Sequence, residues 1–98
     1  MIKLPAGGAN SYELPQDVET ARSIDWGVPI DAYLMNAAMV GDRFAASVFL
    51  DRSGVCANGM TVATPPLRSV MTIRGFEMMK SVCGADYYVI VSRLRDGN

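Results

Sequence analysis

The sequence predicts an α+β fold in which two short N-terminal helices pack on an antiparallel sheet of three to five strands. Two segments in the first half have apolar residues at helical spacing, and each lies between a proline and a glycine. The second half contains segments whose apolar residues alternate at the period of a strand. Because 98 residues is the length of one domain, we expect residues 1–98 to form a single α+β domain.

The first predicted helix follows a segment rich in glycine, proline, alanine and asparagine. We interpret residues 1–12 as a flexible or extended arm. Pro15 suits the first turn of a helix, and Gly27 suits the end of the segment. The apolar residues between them recur at helical spacing: Val18, Ala21 and Ile24. This pattern predicts a helix over residues 15–24.

The second predicted helix covers residues 29–40. Pro29 occupies the first position, Asp31 lies in the first turn and Gly41 terminates the segment. One apolar face is formed by Ile30, Leu34, Ala37 and Ala38.

The segment RFAASVFLD, residues 43–51, predicts a central strand because apolar residues lie on both of its faces. The turn DRSG at 51–54 follows, and a partner strand is predicted from Met60. Pro65 and Pro66 cannot donate to a ladder, so this strand ends there. We interpret the corner TPPL, residues 64–67, as a structural turn and not as a ligand site.

Residues 69–82 are ambiguous between helix and strand. Thr64 could cap a helix whose buried stripe runs through Val70, Ile73, Met79 and Cys83. Against this, SVMTIRG is rich in β-branched residues and contains Gly75, so we favour strands at 69–74 and 76–82. The alternating residues of YYVIVSRL, 87–94, predict a terminal strand. If this strand lies at a sheet edge, it offers a route to a homodimer.

The residue inventory excludes several kinds of chemistry. The chain has no histidine, which removes the commonest general base, every Ser-His or Cys-His nucleophile and the commonest transition-metal ligand. Cys56 and Cys83 belong to no CxxC pair, and we expect buried thiols without a disulfide. We therefore expect no catalytic residues, no cofactor and no metal, and we predict that the protein is not an enzyme. A small carboxylate-using enzyme remains the third alternative.

A protein partner is the leading functional hypothesis. Residues 1–50 hold three basic and six acidic side chains, whereas residues 51–98 hold six basic and four acidic ones. The segment FEMMKS has two adjacent methionines, which we expect cannot both face inward, and flexible thioethers suit adaptable docking surfaces. The predicted partner-binding residues are Arg68, Arg74, Met78, Met79 and Lys80.

A nucleic-acid-binding module is the second hypothesis. Five basic side chains could converge on one sheet face beside Phe76 and Tyr87: Arg68, Arg74, Lys80, Arg93 and Arg95. A sequence pI of about 5.2 disfavours this reading, because the whole molecule would be repelled by a polyanion.

In size and composition the chain resembles the small single-domain proteins carried by phages and mobile elements, including inhibitors of the anti-CRISPR type. The resemblance is one of type and transfers no site. It implies a small inhibitor that acts by binding a protein. The N-terminus lacks the apolar core of a secretory signal and no run is long enough to span a bilayer, so we expect a cytoplasmic protein.

Overall fold

The computed structural model describes residues 1–4 and 14–94. Within this part of the chain, one helix and seven strands follow one another. They are β1 (Ile2–Lys3), α1 (Gln16–Arg22), β2 (Ala32–Val40), β3 (Arg43–Phe49), β4 (Thr61–Ala63), β5 (Leu67–Ile73), β6 (Phe76–Ser81) and β7 (Tyr87–Ile90).

All seven strands belong to one mixed sheet with the order β1-β4-β3-β2-β7-β6-β5. The β2–β7 pair is parallel and the other neighbouring pairs are antiparallel. The prediction of two helices on an antiparallel sheet of three to five strands is therefore wrong: in residues 1–4 and 14–94, one short helix accompanies a larger, mixed sheet.

The segment predicted as the second helix, residues 29–40, forms strand β2. Its residues Ala32, Tyr33 and Leu34 are all buried, because β2 lies near the middle of a sheet that is covered on both faces. A strand buried on both faces has an almost continuous apolar sequence, which lacks the alternation of a half-exposed strand. Such a run fits a helical template equally well, and tertiary packing decides between the two.

The Thr64-Pro65-Pro66 corner joins strands that are far apart in sheet order. Strand β4 is separated from β5 by five strand spacings, which would be about 24 Å in a flat sheet. The connection from Ala63 to Leu67 can span at most about 15 Å. The sheet must therefore bend until its two ends approach each other, and the Leu67 amide donates to the Asp42 carbonyl at 2.9 Å in the β2–β3 turn.

The bent sheet has an apolar core on each face. The inner core contains residues from β2 to β7 and includes Leu34, Phe44, Val62 and Met79. The outer core lies where α1 covers β2, β6 and β7, and it includes Val18, Trp26, Tyr33, Met78 and Val89. The Trp26 indole donates to the Ala21 carbonyl at 3.0 Å, so the indole N–H is satisfied while its ring is buried.

Several segment predictions are confirmed. Helix α1 lies inside the predicted range 15–24, and β3 lies centrally between β4 and β2. The strands favoured at 69–74 and 76–82 are β5 and β6, which resolves the ambiguity between helix and strand. The terminal segment also forms a strand, but β7 lies between β2 and β6 and not at an edge. The edge position suggested for β7 is therefore wrong, and the strands at the two ends of the sheet order are β1 and β5.

The N-terminal residues differ in part from the predicted arm of residues 1–12. Ile2–Lys3 pairs with β4 as a short antiparallel strand. The rest of the predicted arm, from residue 5 onward, lies outside the described residues. Cys56 is buried, Cys83 is exposed, and neither forms a disulfide. Among the described residues, no helix is long and apolar enough to cross a membrane.

Candidate functional site

Two of the predicted partner-binding residues, Arg68 and Lys80, are directly opposite each other on neighbouring strands. They form a cross-strand pair in the β5–β6 ladder. Residues paired in this way share a face of the sheet, with their Cβ atoms about 5 Å apart. Like charges in this arrangement repel each other, so the pair does not stabilise the fold and is available to an anionic group.

Lys80 also contacts an aromatic ring on the next strand. Lys80 pairs with Tyr87 of β7, and the Lys80 ammonium lies 5.8 Å from the centre of the Tyr87 ring. This distance is within the range of a cation–π interaction. Arg68, Lys80 and Tyr87 therefore form a row across three adjacent strands.

Met78 and Met79 are both buried, with exposures of 2% and 4%. The sequence argument that one of them must face solvent is wrong, because the sheet has an apolar core on each face. Met79 packs in the inner core and Met78 in the outer core. Both predicted docking methionines therefore lie in the protein interior in this structure.

Arg74 lies at the tip of the β5–β6 hairpin. Ile73 and Phe76 are paired, so the loop contains only Arg74 and Gly75. Their φ angles are 54° and 85°, which identifies a type I′ turn. Arg74 is exposed there, at the far end of the hairpin from Arg68.

Strand β5 is exposed along most of its length, from Arg68 to Thr72. Val70 and Met71 are 40% and 42% exposed, which is unusual for apolar residues in a strand. The register shifts between Ser69 and Met71, so Val70 forms a bulge. We call the following residues of this element the hairpin surface: the exposed Arg68, Val70, Met71 and Arg74, and the partly buried Lys80.

Among the described residues, the three basic side chains of the hairpin surface form no ion pair. In the described part of the chain, the ion pairs are Arg22–Glu19, Arg52–Asp31 and Arg93–Glu77. None of these pairs includes Arg68, Arg74 or Lys80. Their positive charge is therefore available to a partner.

A second feature is a cavity of about 240 Å³ on the other side of β7. Its polar wall contains three carboxylates, from Asp31, Asp51 and Asp86, together with the side chain of Tyr88. These residues come from four separate positions in the sequence, and the sequence analysis did not identify them as a site. Their proximity follows from the pairing of β2 with β7, which no local pattern indicates.

The loop after β3 fixes Asp51 at the cavity. Leu50 adopts a left-handed φ of 55°, and its amide donates to the Asn58 side chain at 2.8 Å. The Asp51 carboxylate then accepts from the Cys56 amide at 2.8 Å and from the Ser53 hydroxyl at 2.9 Å. Burial alone would raise the pKa of Asp51, but these hydrogen bonds together lower it.

Asp31 and Tyr88 are held by the parallel pairing of β2 and β7. The Asp31 carboxylate accepts from the Tyr87 amide at 2.8 Å, and the Asp31 amide donates to the Tyr87 carbonyl at 2.8 Å. Burial, with a further contribution from the three carboxylates, raises the pKa of Tyr88 to about 12. The Tyr88 phenol is therefore neutral at physiological pH and can both donate and accept a hydrogen bond.

The cavity carboxylates do not converge on one point. No group of three or more histidine, cysteine, aspartate or glutamate side chains within residues 1–4 and 14–94 is placed to hold a metal ion. The cavity therefore offers separate acidic contacts along its wall.

Comparison with protein-family models, with curated proteins and with solved structures found no match for this chain.

Proposed function

We propose that the protein acts by binding a protein partner through the hairpin surface, and not by catalysis. The observation that carries the proposal is the cross-strand pair of Arg68 and Lys80, two like charges held side by side with no carboxylate partner in the part of the chain that the structure describes. Such a pair is unfavourable for folding, so binding an acidic group is the simplest role for it.

The chemistry of the hairpin surface defines the segment that would bind. Exposed Val70 and Met71 lie between Arg68 and Arg74, so apolar contacts are flanked by positive charges. A matching segment has apolar residues in its centre and aspartate or glutamate at its flanks. Because the bulge at Val70 interrupts the edge ladder, we infer that side chains provide most of the contact and that a long added strand does not form.

A second copy of the chain is a poor match for the same surface. If β5 paired with itself about a twofold axis at Met71, Arg68 of one copy would lie opposite Arg74 of the other. The strand offers no acidic residue between positions 67 and 73 to offset this repulsion. A heterologous acidic partner therefore fits better than a homodimer through β5.

Nucleic acid is less well supported than protein as the partner. Arg93, one of the five basic residues considered for that role, donates to Glu77 at 2.6 Å and is already paired. Arg95 lies outside the described residues. The chain is also acidic overall, with a net charge of −1. The narrower expectation of an anti-CRISPR-type inhibitor rests on size and composition alone.

Selection from a displayed library of random linear peptides would test the proposal. We expect enriched peptides to combine an apolar centre with flanking acidic residues. Their affinity, measured by fluorescence polarisation, should fall about tenfold or more for Arg68→Glu. The matched control is Arg43→Glu, which makes the same charge change at an exposed position in β3.

Two results would overturn the proposal. One is enrichment of peptides without acidic residues. The other is equal loss of affinity for Arg68→Glu and Arg43→Glu, which would show a general charge effect. Tighter, salt-sensitive binding of a labelled oligonucleotide would instead favour the nucleic-acid hypothesis.

A further inference from the structure

The row of Arg68, Lys80 and Tyr87 places two positive charges close to one point of the sheet. Arg68 and Lys80 are directly opposite each other, with their Cβ atoms about 5 Å apart. Lys80 is partly buried, and its ammonium lies 5.8 Å from the centre of the Tyr87 ring. Tyr87 itself packs against the outer core, so its ring is fixed. The Lys80 ammonium is therefore held beside Arg68 before any ligand binds.

The acidic residue of the same hairpin points away from this pair. Side chains alternate along a strand, so Lys80 lies on the same face as Met78 of the outer core, and Glu77 points to the opposite face. Glu77 accepts from Arg93 at 2.6 Å, and this hydrogen bond holds the pKa of the Glu77 carboxyl below its usual range. The ion pairs of the described residues include neither Arg68 nor Lys80. Two adjacent positive charges on the outer face therefore remain for a ligand.

A phosphoryl monoester matches two adjacent cations better than a carboxylate does. A carboxylate has one negative charge, so one positive charge of the pair would stay uncompensated. A phosphorylated side chain carries a charge of about −1.5 to −2 at pH 7 and has three acceptor oxygens. The Arg68 guanidinium can bind two of these oxygens side by side, which leaves the third for the Lys80 ammonium.

The phosphodiester backbone of a nucleic acid is a weaker match for the same pair. Each backbone phosphate carries one negative charge, and strong binding requires several basic side chains spread along the strand. Arg74 lies at the far end of the hairpin, and Arg93 is already paired with Glu77. The concentration of positive charge at one point therefore favours a single monoester.

Exposed apolar side chains lie on both sides of the pair along the same face. Met71 pairs with Met78, so it also lies on the outer face, and it is 42% exposed. On the other side, Val82 is 55% exposed, and its amide donates to the Pro66 carbonyl at 3.0 Å, which continues the β5–β6 ladder by one pair. Val82 lies two residues beyond Lys80, a distance of about 7 Å along a strand. A bound segment would therefore have apolar residues on each side of the phosphorylated one.

We propose that Arg68 and Lys80 bind the phosphoryl group of a phosphorylated residue in the protein partner. This inference rests on the function proposed above, because it identifies the acidic group that contacts one end of the hairpin surface. Phosphorylation of the partner then controls how tightly it binds.

A titration of the full chain with inorganic phosphate tests the pair without any peptide. Amide chemical shifts would be recorded by NMR at pH 7.5, with acetate as the comparison anion. We expect saturable shifts of the Arg68, Lys80 and Tyr87 amides, with a dissociation constant on the order of 10 mM for phosphate. Acetate should bind about tenfold more weakly, because it carries one charge and has fewer acceptor oxygens.

The tightest peptide from the library selection provides the second test. Each of its acidic residues is replaced in turn by phosphoserine and, as a control, by serine. Affinities are measured by fluorescence polarisation with the full chain. At one position only, phosphoserine should bind about tenfold more tightly than the original aspartate or glutamate, because two cations meet at one point of the hairpin surface.

Conservative variants show whether the pair itself recognises the phosphoryl group. Arg68→Lys keeps the positive charge but removes the guanidinium fork, and Lys80→Gln removes the second charge. Each should reduce the preference for phosphoserine to about twofold or less. Arg74→Lys, a matched change at the far end of the hairpin, should leave the preference unchanged. Because the preference is a ratio of two affinities of one preparation, a partial loss of stability does not alter it.

Three results would overturn the inference. They are phosphate shifts no larger than those of acetate, a phosphoserine preference that is absent or equal at every position, and a preference that survives in Arg68→Lys. Tighter binding of a labelled oligonucleotide, or of phosphatidic acid vesicles, would also overturn it by assigning the pair to another ligand. Binding of the unphosphorylated acidic peptide tests the proposed function separately, and the phosphate titration still tests the pair if no peptide is selected.

Discussion

At the residue scale, Thr64 is the polar residue on which the corner between β4 and β5 depends. It is 1% exposed, and its hydroxyl accepts from the Phe44 amide at 3.0 Å and donates to the Pro65 carbonyl at 2.8 Å. Its own amide donates to the Phe44 carbonyl at 2.8 Å. Thr64 thus connects the corner to β3, while the prolines that follow it redirect the chain.

Replacing Thr64 by valine keeps the shape of the side chain but removes the hydroxyl. The buried Phe44 amide then loses its acceptor, and we expect a loss of about 1–3 kcal/mol in the free energy of unfolding. Urea denaturation followed by circular dichroism would measure it. Thr64→Ser, which keeps the hydroxyl, is the control and should lose less. Equal stability of Thr64→Val and the parent chain would contradict this role for the hydroxyl.

Tyr88 should make stability depend on pH in the alkaline range. A tyrosine in an unfolded chain ionises near pH 10, whereas burial and the nearby carboxylates raise the pKa of Tyr88 to about 12 in the folded chain. Below about pH 10 both states hold the proton, so the stabilisation is fully present. Between about pH 10 and 12 the unfolded state releases the proton first, and the free energy of unfolding falls as the pH rises.

Comparing the urea midpoint of the parent chain with that of Tyr88→Phe separates the contribution of this phenol from those of other groups that titrate in the same range. We expect the urea midpoint of the parent chain to fall more steeply above about pH 10 than that of Tyr88→Phe. Parallel pH profiles for the two proteins would show that the phenol is not perturbed by folding.

At the element scale, the β5–β6 hairpin has a turn whose geometry does not suit one of its residues. Arg74 adopts a φ of 54°, a conformation that costs a residue with a Cβ atom about 1–2 kcal/mol. Asparagine tolerates this conformation, and Asn-Gly is the preferred sequence of a type I′ turn. The presence of arginine there is consistent with a contribution to binding at some expense of stability.

We expect Arg74→Asn to raise the free energy of unfolding by about 0.5–1 kcal/mol, because strain in the turn is relieved. The same variant should bind the acidic peptides selected by the hairpin surface more weakly, because one positive charge is lost. Thermal unfolding and fluorescence polarisation would measure the two effects on one preparation. Lower stability together with unchanged binding would contradict both parts of this argument.

The sequence predicted elements well where their local pattern was sufficient. Strand β3 has apolar residues such as Phe44 and Val48 at strand period, and α1 begins directly after Pro15. Strand β2 was not predicted, because burial on both faces removed the alternation that identifies a strand. Its regular pairing is also broken near Asn36, which has a φ of 53°, and the resulting bulge disturbs the period further.

At the scale of the whole molecule, the bend of the sheet determines which surfaces are available. It brings the two ends of the sheet together through the proline corner, encloses one core and leaves α1 to cover part of the other. The row of Arg68, Lys80 and Tyr87 remains on the strands beyond that helix. Opposite it across β7, the acidic cavity opens around Tyr88.

The candidate site was predictable only in part, because its residues are brought together by the pairing of strands and not by a local sequence pattern. Arg68 was predicted as a basic residue just past the proline corner and Lys80 as part of the segment FEMMKS, but their pairing depends on the β5–β6 register. Met78 and Met79 were misplaced because the second core was not foreseen. The cavity was missed altogether, since Asp31 and Asp86 are brought together by strands that are distant in sequence.

The central claim is that the hairpin surface binds an acidic protein segment. Affinity capture with charge-reversal variants tests this claim most directly. Three baits would be used in a lysate of the organism that carries the gene: the parent chain, the double variant Arg68→Glu/Lys80→Glu, and the control Arg43→Glu. We predict that one protein is retained in stoichiometric amount by the parent chain and by Arg43→Glu, and is lost with Arg68→Glu/Lys80→Glu. Retention of the same protein by all three baits, each folded by circular dichroism, would contradict the claim.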